Sequence, residues 1–377
     1  MHIGFITPEY PHQNYTGSIG GVGTFTKNLA LQLVKNNCSV SVFIHSQPKN
    51  ETVVENGVTI HFVKQKRIKG LTWYTNRRFF NSYVNKIVQK DNITVLEAPE
   101  WTGFTAFMKF KCPLVIRLHG SDTYFCNLEN RPVKSKNKFF EKKALLGATK
   151  IIGVSNFVAN KTKELFKLGV NINTLYNTID ANQFQPNHTH VKPKTVLYFG
   201  TIVRKKGVLE IAEVFNKLVE NDDEITLTLL GRDNTDVFTG ISTLQMIKTK
   251  LTTKALQNLK HIPPVPYQEV KQYIQQAEVV LLPSFAEAFP MTWLEAMAME
   301  KKLVTSNIGW AKELMIDGET GYMVNPKNHK EFTIKVLHLL NDNIGDKMAK
   351  NARKHIIKNF NTQQAIQQNI ALYKALV

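Results

Sequence analysis

The chain has 377 residues, with 48 Lys and Arg against 30 Asp and Glu and a net charge of +18. That length calls for two domains rather than one core. A 43% hydrophobic and 21% charged composition excludes global disorder, and no run approaches the ~18 apolar residues of a spanning helix.

Apolar runs of strand length alternate with amphipathic stretches along the chain. The first run, Met1-His2-Ile3-Gly4-Phe5-Ile6, has no basic flank and reads as a strand, so no signal peptide is expected. Strands are predicted at 3–7, 39–44, 58–63, 94–96, 114–118 and 151–154, with helices at 24–34, 79–88 and 136–146. A second series starts at 195–199 and continues with strands at 225–230, 279–282 and 303–305. Its helices fall at 209–219, 292–299 and 331–339, and a closing amphipathic stretch covers 362–377. Such alternation implies parallel sheets with helices on both faces. The expected domains are 1–180 and 195–359, joined by a polar linker at 181–194 that holds Pro186 and Pro193. The last helix, about 360–377, is expected to pack back on the first domain.

Charge is uneven. Residues 1–190 carry 24 Lys/Arg against 11 Asp/Glu, and residues 191–377 carry 24 against 19. The first half therefore suits an anionic partner: nucleic acid, a membrane surface or an acidic substrate. Cys38, Cys112 and Cys126 cannot pair completely and show no C-x-x-C spacing, which disfavours a disulfide scaffold and points to a reducing compartment.

Four places carry candidate chemistry. Gly20-Gly21-Val22-Gly23 lies between the first strand and a helix, where glycines let backbone amides approach a phosphate or sugar. His119-Gly120-Ser121-Asp122 follows the strand at 114–118, on the side where parallel sheets bind ligands. The loop from Gly200 to Gly207 holds Arg204, Lys205 and Lys206 ahead of a helix, a candidate diphosphate clamp with Lys206 favoured. In the string 283–296, Glu287 precedes a helix and Glu295 lies about one turn inside it. Ionised carboxylates only accept hydrogen bonds, which suits a ligand rich in hydroxyls, and the helix N-terminus between them offers amides to a phosphate.

In this order, these motifs resemble the retaining, nucleotide-sugar-dependent glycosyltransferases of family 4. The matching elements are Gly20–Gly23, His119-Gly120, Asn177-Thr178-Ile179-Asp180, the Lys206-Gly207 loop and the Glu287/Glu295 pair. The resemblance implies the α/β GT-B fold, two doubly wound Rossmann-like domains with a cleft between them. It implies catalytic roles for His119 and Glu287. It places the donor at Gly21, Gly23, Thr201, Lys206, Phe289, Met291, Thr292 and Glu295, with Glu295 on the ribose and Glu287 on the transferred sugar. A nucleoside diphosphate sugar, UDP-linked by preference, is then the donor substrate, with no cofactor and no metal. Two residues depart from the family pattern: Thr201 stands where an Arg is usual, and Pro290 where a Gly is common. Pro290 has no N–H to donate, so phosphate contacts fall to amides such as those of Phe289, Met291 and Thr292. Arg204 or Lys205 is the candidate replacement for the missing Arg.

For the acceptor, Glu97, Glu100, Trp101 and Asp122 are the candidates, carboxylates for hydroxyls and Trp101 for stacking on a sugar face. Basic stretches at 64–69, 77–78 and 134–143 are interleaved with aromatic residues. That mixture fits peripheral contact with an anionic membrane holding a glycan or lipid-linked acceptor. A cytoplasmic enzyme, peripheral on the inner membrane face, is expected. The alternatives are another GT-B enzyme such as a sugar-nucleotide epimerase, and a non-catalytic nucleotide-sugar binder. Nucleic-acid binding is disfavoured for want of a recognisable module.

Overall fold

The computed structural model describes residues 1–17, 19–188, 191–341 and 344–377. The chain forms two units, Met1–Asn177 with Gln363–Val377, and Thr178–Thr362. The boundary falls three residues before the end expected for the first domain. Residues 189 and 190 of the expected linker lie outside the described residues.

The first unit holds strands β1 (His2–Thr7), β2 (Ser39–Gln47), β3 (Glu51–Glu55), β4 (Val58–Lys64), β5 (Val95–Pro99), β6 (Leu114–Leu118), β7 (Lys150–Gly153) and β8 (Asn173–Thr174). Its helices are α1 (Gly21–Lys35), α2 (Thr72–Lys90), α3 (Asp122–Leu128), α4 (Ser135–Leu146) and α5 (Asn156–Phe166). The sheet order is β3-β4-β2-β1-β5-β6-β7-β8, parallel except for the β3–β4 pair. Strands buried on both faces read as continuous apolar runs, which is why β1, β2 and β6 stand out in the sequence. The antiparallel β3 edge does not. Its turn is Asn56-Gly57, both at positive φ, the residue pair a two-residue hairpin favours.

The second unit holds β9 (Thr195–Phe199), α6 (Val208–Asn221), β10 (Thr226–Leu230), α7 (Thr243–Lys250), α8 (Thr253–Gln257), β11 (Leu259–Ile262), α9 (Tyr267–Gln276) and β12 (Val279–Leu282). It continues with α10 (Met291–Ala298), β13 (Lys302–Ser306), α11 (Ala311–Leu314), β14 (Tyr322–Val324), α12 (His329–Asn341) and α13 (Ile344–Asn359). Its parallel sheet runs β11-β10-β9-β12-β13-β14. On α6, Val208, Ile211, Ala212, Phe215, Leu218 and Val219 are buried, the three-and-four spacing of a helix laid on a sheet.

The last helix, α14 (Thr362–Lys374), belongs to the first unit. Ile366, Ile370 and Tyr373 join the core made by Ile3, Phe5, Val42 and Val95. A buried polar knot locks it in place. Arg117 on β6 forks onto Glu97 at 2.8 and 3.0 Å, Tyr373 donates to the same carboxylate at 2.7 Å, and Asn369 accepts from Arg117.

Candidate active site

In each sheet the chain order reverses beside the first strand: between β1 and β5 in one unit, between β9 and β12 in the other. Ligands of doubly wound sheets sit beyond the carboxyl ends at such a point. In the second unit, the loop after β9 and the loop after β12 meet there. Phe285 N–H donates to the Lys205 carbonyl at 2.8 Å. Gly207 has φ +72°, and a Cβ on it would lie 2.0 Å from the Pro283 carbonyl oxygen, so only glycine permits this approach.

The contact between the loops aligns three side chains. Lys206 Nζ pairs with Glu287 Oε1, and Ser284 Oγ donates to the same oxygen at 2.9 Å. Glu295, on the buried face of α10, accepts from Tyr267 Oη at 2.7 Å. Glu287 and Glu295 are 8% and 4% exposed. Burial raises the Glu295 carboxyl to about 7, against the opposing pull of Tyr267 and Lys206. The α10 N-terminus follows Pro290, whose side chain makes no capping hydrogen bond, so its first-turn amides, those of Met291 and Thr292 among them, are not capped by the residue that opens the helix. Phe289 turns its ring into the unit, 5.5 Å from Phe360. Thr201 accepts at its carbonyl from Tyr198 Oη at 2.7 Å and brings no charge. Arg204, a candidate replacement for the missing cation, has its guanidinium forked onto buried Asp236 at 2.7 and 2.9 Å.

The first unit uses its carboxylates differently, and several acceptor-side expectations need correction. Glu97 is 3% exposed and both its oxygens are taken by Arg117 and Tyr373, so it offers nothing to a sugar hydroxyl. Glu100 is fully buried and accepts the His119 and Gly120 amides at 3.0 and 2.7 Å. Burial pushes its carboxyl up to about 8 even against those amides. It is the anchor of the His119 loop, not an acceptor ligand. Asp122 accepts from Asn137 at 2.9 Å and pairs with Arg131 at 3.4 Å, in the first turn of α3, which Ser121 caps. Trp101 remains 39% exposed at the end of β5. His119 packs edge-on against Phe25 at 4.8 Å, and burial with the nearby Arg117 charge holds its imidazole down at about 3, hence neutral.

The glycine loop is also corrected in part. Glu9 takes the Gly20 and Gly23 amides at 2.8 and 2.7 Å, so the Gly23 N–H is not open to a phosphate; Gly21 has open space around it. Glu9, Ser284, Tyr267, Asp236 and Glu141 were all missed by sequence reasoning. Only Glu9 left a signal, a lone carboxylate just after β1 and ahead of a glycine run.

Residues 19–183 match the family described as Glycosyltransferase Family 4, and residues 180–359 match Glycosyl transferases group 1. The chain is a glycosyltransferase of the family 4 type. An uncharacterized glycosyltransferase of Methanocaldococcus jannaschii is 24% identical over 375 residues, covering 96% of each chain. Sucrose-phosphate synthase from Thermosynechococcus elongatus has the same fold, with TM-score 0.80 at 17% identity, over 100% of this chain and 98% of the other. The Anabaena protein HepE, solved with UDP-glucose, gives 0.75 at 16% identity over the whole of both chains. The fold of this glycosyltransferase is therefore GT-B, and the protein is an enzyme of the hexosyltransferase class. Among its described residues no helix is long and apolar enough to cross a membrane.

Proposed function

We propose that this enzyme transfers a hexosyl unit from a nucleoside diphosphate sugar to a hydroxyl of a glycan or lipid-linked acceptor, retaining the anomeric configuration. The observation that carries the reading is the set Lys206, Glu287 and Glu295 beside the α10 N-terminus, all at the strand switch of the second unit. Glu295 accepts from the ribose hydroxyls, and Glu287 from the hydroxyls of the transferred sugar. Lys206, now paired with Glu287, turns to the diphosphate, whose charge the α10 amides also meet. Leaving-group charge is then stabilised by a cation and a helix dipole, and transfer proceeds without a divalent metal. His119 remains a proposed catalytic residue. A UDP-sugar is the favoured donor; the fold shared with the Anabaena protein solved with UDP-glucose supports that choice.

The acceptor is proposed to belong to polysaccharide, lipopolysaccharide or glycolipid synthesis. The excess of 24 Lys/Arg over 11 Asp/Glu in residues 1–190 supports peripheral contact with an anionic membrane. The test is a panel of UDP, GDP and ADP sugars offered with membrane extracts and soluble glycans, with and without EDTA. Transfer from one donor, insensitive to EDTA and giving an α-linked product from an α-linked donor, supports the reading. Magnesium-reversible loss of turnover, or an inverted product, overturns it.

A further inference from the structure

The first unit carries an aromatic platform that includes none of the site residues described above. Trp73 at the start of α2, Phe107 in the loop after β5 and Phe139 on α4 are 39%, 60% and 50% exposed. All three pack around one buried ring, Phe140, with centroids 5.4, 6.1 and 5.5 Å from it, and Phe107 lies 6.0 Å from Phe139. Arg77 stacks over Phe140 at 4.4 Å and donates to the Gly103 carbonyl at 3.0 Å, which fixes the base of the patch. Three separate pieces of chain thus make one exposed aromatic surface, not scattered side chains. Phe107 also stands at φ +65°, where Asn or Gly is at ease and an aromatic residue is strained.

The surroundings are cationic. On α4, Lys142, Lys143 and Leu146 continue the exposed face of Phe139 at spacings of three, four and seven, and Lys143 Nζ lies 5.8 Å from the Phe139 ring. Lys109 and Lys111 follow Phe107. Among the described residues none of these four lysines makes an ion pair. The acidic residues of 101–146 are Asp122, Glu129 and Glu141, and all are engaged elsewhere: the first two by Arg131, the third by the amides of Thr102, Asp122 and Thr123.

Apolar rings collared by unpaired ammonium groups match the boundary of an anionic bilayer, with acyl chains below and phosphates above. We infer that Trp73, Phe107 and Phe139 form a wedge that enters such a bilayer, with Lys109, Lys111, Lys142 and Lys143 at the phosphate level. This rests on the membrane contact proposed above and names the face that makes it.

The test uses the full chain with phosphatidylcholine vesicles made with and without phosphatidylglycerol. The chain binds the anionic vesicles at low salt. Phe107→Asn, which suits the left-handed backbone, and Phe139→Gln, which suits a helix, each lower the partition coefficient about tenfold or more, with unfolding midpoints unchanged. Brominated acyl chains quench tryptophan emission, and Trp73→Phe removes that quenching. If the ring variants bind as well as the parent, or quenching persists in Trp73→Phe, the wedge is wrong while membrane contact stands. If the parent stays in the supernatant with anionic vesicles at low salt, the membrane contact falls and the wedge with it.

Discussion

The two units share one architecture but hold the buried glutamates beyond their strand ends differently, although Asp236 of the second unit is held as those of the first are, by an arginine and main-chain amides. In the first, Glu100 and Glu141 bind main-chain amides, and Glu97 binds an arginine sealed in the core. Moving any of them strands buried donors, which costs about 1–3 kcal/mol each. In the second, Glu287 and Glu295 meet the ends of side chains, Lys206 and Tyr267. Those ends can swing to a ligand without breaking the frame. A carboxylate held by backbone builds a loop; one held by a mobile side chain beyond a sheet end is available for binding.

The comparison breaks most easily at Arg117. Replacing Arg117 with Met leaves Glu97 buried with only Tyr373, and unfolding in denaturant should show a loss of about 3–5 kcal/mol. Adding Glu97→Gln should recover part of it. A loss below about 1 kcal/mol would show that this knot is not architectural.

Lys206→Met should do the reverse. Turnover falls about 10²–10³-fold in kcat/KM, the size of losing one donor to a developing charge, while stability changes less than in Arg117→Met. Steady-state kinetics with denaturant unfolding on the same samples checks the split. A variant that loses stability but keeps its turnover would reverse the assignment of the two units.

The smallest effect is a pH slope. Glu100 and Glu295 have folded values of about 8 and about 7, above the ordinary 4.5. Between 4.5 and those values the folded state binds more protons than the unfolded, so their contribution is present at low pH and lost as pH rises through the folded values. Stability should therefore decline from about pH 5 to pH 8. Glu100→Gln flattens that decline, and Glu295→Gln flattens its lower part. Thermal unfolding across buffers reads it, and an unchanged slope in Glu100→Gln would place that carboxyl in water.

Much of this was legible in the sequence because parallel strands buried on both faces leave apolar runs, and because Glu287 and Glu295 sit in one continuous string with the start of α10. What was not legible depends on partners far along the chain. Glu97 meets Arg117 and Tyr373, 20 and 276 residues away, and nothing local separates such a carboxylate from a ligand-facing one. Tyr267 reaches Glu295 across 28 residues for the same reason. Edge strand β3 does not stand out although Asn56-Gly57 announces its hairpin, because Glu51–Glu55 alternates between half-buried and exposed residues and forms no apolar run.

The central claim is that the second unit divides the donor between two carboxylates. Calorimetric titration of the parent, Glu295→Gln and Glu287→Gln with a nucleoside diphosphate and with its sugar tests it most directly. Glu295→Gln should weaken both ligands by about 1.5–3 kcal/mol, the worth of a charge-assisted hydrogen bond. Glu287→Gln should weaken the nucleotide sugar more than the bare nucleotide. Equal losses for both ligands in both variants would contradict the division.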